Sequence, residues 1–167
     1  MQENSILQIN ESAVESSEFK HGDTLHHFRK DFTGAFTASK LIASQYEIPP
    51  GKASWPYHYH MANEEMFYIL EGEGEMRTKE GTLPVRAGDF FRFPIGENGV
   101  HQLINTSPDK TLKYLDFGTT VEPDLVVQPD SQKIGVFAGG APCQNKSIRT
   151  MWKYYRLGTE LHYLDGE

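Results

Sequence analysis

From Gly34 to Thr119 the chain is a succession of short apolar and β-branched runs cut by clusters of Gly, Pro, Asn, Asp and Ser. LIASQYEI (Leu41–Ile48) reads as a strand stopped by Pro49, Pro50 and Gly51, and SWPYHYH reads as a second, whose Pro56 marks an edge or a bulge. EMFYILEG follows, then EGEMRTK after the Gly72/Gly74 bend, then LPVRAG, DFFRFP, HQLIN and TLKYLDFG. Strands this short, with turn residues between them, predict a sandwich or barrel rather than βαβ units. Residues 1 to about 20 read as a loose lead-in with a short helical turn around Ser12–Glu18. DLVVQ and KIGVF fit two further strands, and SIRTMWKYYR fits either a helix or an extended segment.

A chain of 167 residues suits one domain with its own core. Fifteen glycines, nine prolines and twenty aromatic residues (ten Phe, eight Tyr, two Trp) favour an all-β architecture. A net charge of −7 argues against gripping a phosphate backbone, so nucleic acid is not an expected partner. The opening MQENSILQINESAVESSEF lacks a basic start and an apolar export core, and no 18-residue apolar run suggests a membrane span. One cysteine, Cys143, cannot form an internal disulfide. These features lead us to expect a soluble cytoplasmic protein.

The stretch PYHYHMANEEMFYILEGEGE carries the chemistry. Strand alternation sends His58 and His60 to one face, Tyr57 and Tyr59 to the other. If Met61–Asn63 turns the chain, the next strand returns antiparallel beside the histidines, with Glu65, Phe67 and Ile69 on one face. Two imidazoles and a carboxylate in an apolar interior are costly unless partnered, and a divalent cation satisfies all three. Such nitrogen and oxygen donors suit iron, manganese, nickel, copper or zinc; the lack of thiolates argues against iron–sulfur and cysteine–zinc sites. A second segment, GDFFRFPIGENGVHQLIN, brings His101 to the start of a strand, where it could act as a third nitrogen ligand.

Together the two segments resemble the two motifs of the cupin superfamily. Gly51, His58, His60, Glu65 and Gly72 follow the order of the first motif; four residues separate Glu65 from His60 and six from Gly72, which favours Glu65 over Glu64. Gly88, Pro94, Gly96, His101 and Asn105 follow the second. Six residues lie between Gly51 and His58, and four between Gly96 and His101, each longer than the commonest pattern and each in a loop. The resemblance covers roughly Leu41 to Thr119, and QPDSQKIGV and YLDGE look like features of uncharacterised bacterial single-domain cupins. It implies a double-stranded β-helix, or jelly roll, as a small barrel with one divalent transition metal (Fe, Mn, Ni or Zn) per chain. The ligands would be His58, His60, Glu65 and His101. The expected organisation is an N-terminal extension over 1–40, a barrel core over 41–120 and a C-terminal extension over 121–167.

The resemblance also implies a homodimer, and the sequence has a reason for one. Met66, Tyr68 and Leu70 face away from the lumen yet are large and apolar, so either the N-terminal segment or a partner subunit must cover them. His21, His26 and His27, in the polar stretch HGDTLHHFRK, are expected at the surface, as is His162. Trp152, Tyr154, Tyr155 and Tyr163 are expected to serve packing. Arg77, Arg92 and Lys113 are read as surface charges, and Cys143 shows no base that would make it a nucleophile. The expected function is to bind or transform a small molecule in the barrel, by dioxygenase or isomerase/lyase chemistry; the alternative is a non-catalytic binding or sensor protein.

Overall fold

A computed structural model describes residues 8–34, 40–140, 147 and 149–166; Cys143 lies outside them. The first strands are β1 (Ser16–His21), β2 (Leu25–Asp31), β3 (Leu41–Ile48), β4 (Tyr59–His60) and β5 (Glu65–Glu71). Next come β6 (Glu73–Thr78), β7 (Gly81–Arg86), β8 (Phe90–Phe93), β9 (His101–Ile104) and β10 (Leu112–Thr119). The C-terminal strands are β11 (Asp124–Gln128), β12 (Lys133–Ala138) and β13 (Met151–Arg156). A six-stranded sheet runs β1-β2-β3-β10-β5-β8, and the strands β13-β12-β11-β4 and β7-β6-β9 form the other two sheets. This is the jelly-roll arrangement, in which strands adjacent in sequence often lie in different sheets.

β5 and β10 show the period of two expected of half-buried strands, whereas the central β3 buries Ser44, Gln45 and Tyr46 in succession. In β10, Leu112, Tyr114, Asp116 and Gly118 are buried while the residues between them are half-buried. The core gathers Tyr46, Ile48, Phe67, Ile69, Met76, Leu103, Leu112 and Tyr114. Opposite them, the outer face keeps Tyr68, Leu70 and Phe90 exposed. The N-terminal hairpin β1–β2 extends the sheet beside β3 and does not cover those residues.

Three local expectations are corrected. SWPYHYH supplies only the two-residue β4, because Pro56 interrupts the ladder and single bridges at Ala53 and His58 replace it. Ser12–Glu18 is not a helical turn: a 3-10 turn at Glu11–Ala13, capped by the Asn10 side chain, leads straight into β1. β4 and β5 do not form a hairpin, since β4 pairs with β11 while β5 pairs with β10 and β8.

Candidate metal centre

The histidines and the glutamate therefore meet across the lumen rather than side by side. His58 and His101 form an isolated antiparallel bridge, each backbone N–H donating to the other's carbonyl at 3.1 and 2.9 Å. The loop before β9 is tied in as well, by Gly96 N–H donating to the His60 carbonyl at 2.7 Å. That loop needs Gly99, where an added Cβ would lie 1.8 Å from the Pro94 carbonyl oxygen. Glu65 projects from the opposite sheet toward all three imidazoles.

Each ring is held by its Nδ1. His58 Nδ1 lies 2.8 Å from the Pro56 carbonyl, His101 Nδ1 2.9 Å from the Gly99 carbonyl, and His60 Nδ1 2.5 Å from Asp124 Oδ2. A carbonyl only accepts, so Nδ1 carries the proton in His58 and His101, and the Nε2 lone pairs point inward. Nε2 of His101, His60 and His58 stands 3.4, 3.5 and 3.9 Å from Glu65 Oε2. Donors about 2.1 Å from a common ion, at tetrahedral or octahedral angles, stand about 3.0–3.4 Å apart. Two of the three distances match that spacing closely and the third is slightly wider.

The electrostatics point the same way. Glu65 Oε2 and His101 Nε2 are buried and have no hydrogen-bond partner among the described residues, a costly state that a bound cation would relieve. Burial lowers His58 to about 3, helped by neighbouring His101, and burial lowers His101 against the pull of Glu65. Burial would also lower His60, but Glu65 and the Asp124 hydrogen bond outweigh it and raise it to about 9. Burial would raise Glu65, but the imidazoles, His60 foremost, hold it below its ordinary range. Without an ion, His60 is thus the imidazole that carries positive charge beside the Glu65 carboxylate, where a cation would take its place. His58, His60 and Glu65 bring one donor atom each within 4.8 Å of one another, so this cluster could hold a metal ion; His101 joins it through Glu65.

Sequence reasoning missed two carboxylates. Asp124, 0% exposed, accepts from His60 Nδ1 and from the Ala62 N–H at 3.0 Å; it sits 64 residues from His60, with no local signal. Asp116, 3% exposed, faces the same interior. Burial, and then the charge of Glu65, push its pKa well above the ordinary carboxylate value.

Other expectations divide. His21 and His162 are exposed, but His27 is 2% exposed, its Nδ1 held 2.9 Å from the Ser54 carbonyl among Phe19, Tyr46 and Trp55. Those rings, not any local pattern, draw it inside. Arg77 pairs with Asp130, Arg92 with Glu64 and Lys113 with Glu47, outside the lumen as the surface reading expects. Trp152, Tyr154, Tyr155 and Tyr163 are exposed, yet Trp152 and Tyr154, on the edge strand β13, still pack against Phe137.

Residues 44–118 match the family model described as "Cupin domain". The sequence has no significant match among curated proteins. Among solved structures, the chain is similar to a protein named provisionally as a sugar phosphate isomerase from Acidithiobacillus ferrooxidans, at 24% identity and TM-score 0.74 over 90% of each chain. It is similar to a sugar phosphate isomerase of the cupin superfamily from Silicibacter pomeroyi, at 20% identity and TM-score 0.73, covering 94% of this chain and 98% of that one. The polyketide cyclase RemF of Streptomyces resistomycificus matches at 19% identity and TM-score 0.58, over 69% of this chain and 80% of its own. At these identities the likenesses establish the fold. Among the described residues no helix is long and apolar enough to cross a membrane. The barrel topology, the match of residues 44–118 to the cupin-domain model and the similar structures together show that the chain has the cupin fold.

Proposed function

We propose that this protein is a metal-dependent enzyme of the isomerase or lyase kind, holding one divalent transition metal between His58, His60, Glu65 and His101. The observation that carries the reading is the convergence of three Nε2 atoms on Glu65 Oε2, with two of these buried atoms lacking a hydrogen-bond partner among the described residues. When bound, the ion supplies Lewis-acid polarisation of a carbonyl. Three neutral imidazoles and one carboxylate leave a divalent ion with net positive charge, which suits that task. The chain's own residues orient the rings through Pro56, Gly99 and Asp124 and line the site with Phe67 and Phe93. Two of the similar structures bear the name sugar phosphate isomerase; the reading for this chain rests on its own donor set. We also infer that the exposed outer face around Tyr68, Leu70 and Phe90 meets a second copy of the chain as a homodimer.

Elemental analysis of the purified protein and of His60→Ala tests the metal reading. About one iron, manganese, nickel or zinc per chain, lost in a folded His60→Ala, is the expected result. Equal metal in both proteins refutes it. Turnover of a carbonyl compound only when metal is present distinguishes the enzyme from a binding protein, and oxygen consumption by an iron form would move the assignment to an oxygenase.

A further inference from the structure

The six-stranded sheet places a second carboxyl beside the metal centre. On β10, Gly118 lies opposite Glu65 and Asp116 opposite Phe67, so Asp116 and Glu65 are diagonal neighbours on the inner face. Such diagonal positions stand about 7–8 Å apart across antiparallel strands, within reach of one small molecule. Asp116 is 3% exposed, and its Oδ1 has no hydrogen-bond partner among the described residues. A buried unpartnered oxygen is costly, and an apolar side chain beside Phe67 would avoid that cost.

The neighbouring groups are polar as well. Ser44 lies opposite Asp116 on β3 and is fully buried. Arg29 donates to Ser44 Oγ from Nε and an Nη atom at 3.0 and 2.9 Å, and to Asp31 at 3.1 Å. The wall beside the donors therefore offers hydrogen-bonding groups to a hydroxylated ligand, whereas Phe67 and Phe93 line the part next to His101.

From this arrangement we propose that Asp116 is the proton-handling group of the site, exchanging a proton with a small hydroxy-carbonyl molecule held beside Glu65. The inference rests on the metal-dependent reading above. Glu65 and the histidines cannot serve as bases through atoms that hold an ion; Asp116 is not among those donors. The C–H bond next to the carbonyl breaks, the proton passes to a carboxylate oxygen of Asp116, and the electron pair stays on the substrate as an enediolate. The hydroxyl proton shifts from one enediolate oxygen to the other, and return of the Asp116 proton to the adjacent carbon yields the isomer. Atoms and charge balance with no oxidant or reductant.

The test uses full-length protein loaded with Co(II) and acetohydroxamate, a small chelator that gives up a proton when it binds an ion. Calorimetry in two buffers of different ionisation enthalpy counts protons released. The positive ion favours the Asp116 carboxylate and the arriving anion favours its acid form, so the wild type is expected to retain the proton and release almost none. Asp116→Asn, with unchanged Co(II) content, is expected to release about one proton per chelator bound and to bind about tenfold more weakly. Release of about one proton by the wild type, or no binding of the chelator by it, overturns the proposal; the wild-type count decides even if the variant does not fold. Absence of Co(II) from the wild type overturns the metal reading itself, and the metal content reveals that separately.

Discussion

Asp124→Asn tests how the fold aims His60. Asp124 serves two donors at once, His60 Nδ1–H at 2.5 Å and the Ala62 N–H at 3.0 Å. Asparagine has nearly the same shape but one acceptor oxygen. If that oxygen faces His60, the amide NH2 meets the Ala62 N–H; if it faces Ala62, the NH2 meets Nδ1–H. One buried donor is left unpaired either way, at about 1–3 kcal/mol. The ring also loses the carboxylate that strengthens its Nε2 lone pair, a change that typically weakens metal binding by about 10–100-fold, or about 1.4–2.7 kcal/mol. Competition against a chromophoric chelator for Zn(II) and Mn(II) at fixed pH measures this. Affinity within about twofold of wild type, in a folded variant, would refute the reasoning.

Burial holds His27 down at about 4 against an ordinary value of 6.5, so the unfolded chain binds its proton first as pH falls. Its contribution is therefore complete above pH 6.5 and lost as pH falls toward 4, by about 2.5 kcal/mol at pH 4.5. Urea unfolding at pH 7.5 and 4.5 should show that loss in the wild type and a smaller one in His27→Leu. Phe93, 7% exposed and stacked on His101 at 3.7 Å between ring centroids, should lose about 3–5 kcal/mol of stability on mutation to alanine and bind metal more weakly. Arg77→Ala removes a partly exposed pair with Asp130 and should change stability by less than about 1 kcal/mol, with metal content unchanged. Light scattering should give twice the 19.0 kDa chain mass for the wild type and a single chain mass for Tyr68→Glu/Phe90→Glu.

What the sequence made legible was local. Short runs between turn residues identify Leu41–Ile48, Glu65–Glu71 and Leu112–Thr119 as strands, and a strand's period of two, which needs no partner, names the buried face of Glu65, Phe67 and Ile69. The spacing of His58, His60, Glu65 and His101 likewise anticipates a group that the structure brings together. Partnership between distant segments was not legible. β4 looks able to pair with β5 because Met61–Asn63 can turn, yet it pairs with β11, and that same pairing delivers Asp124 to His60. Asp116 reads as one polar residue in an apolar strand until Glu65 lies diagonally across from it. His27 sits in polar sequence, and only Phe19, Tyr46 and Trp55 bury it.

The central claim is most directly tested by a crystal structure of Mn(II)-loaded protein with anomalous differences measured above and below the manganese edge. The account predicts one peak per chain, about 2.0–2.3 Å from Nε2 of His58, His60 and His101 and from a Glu65 carboxylate oxygen. A peak elsewhere, or none between these four residues at full loading, would contradict it.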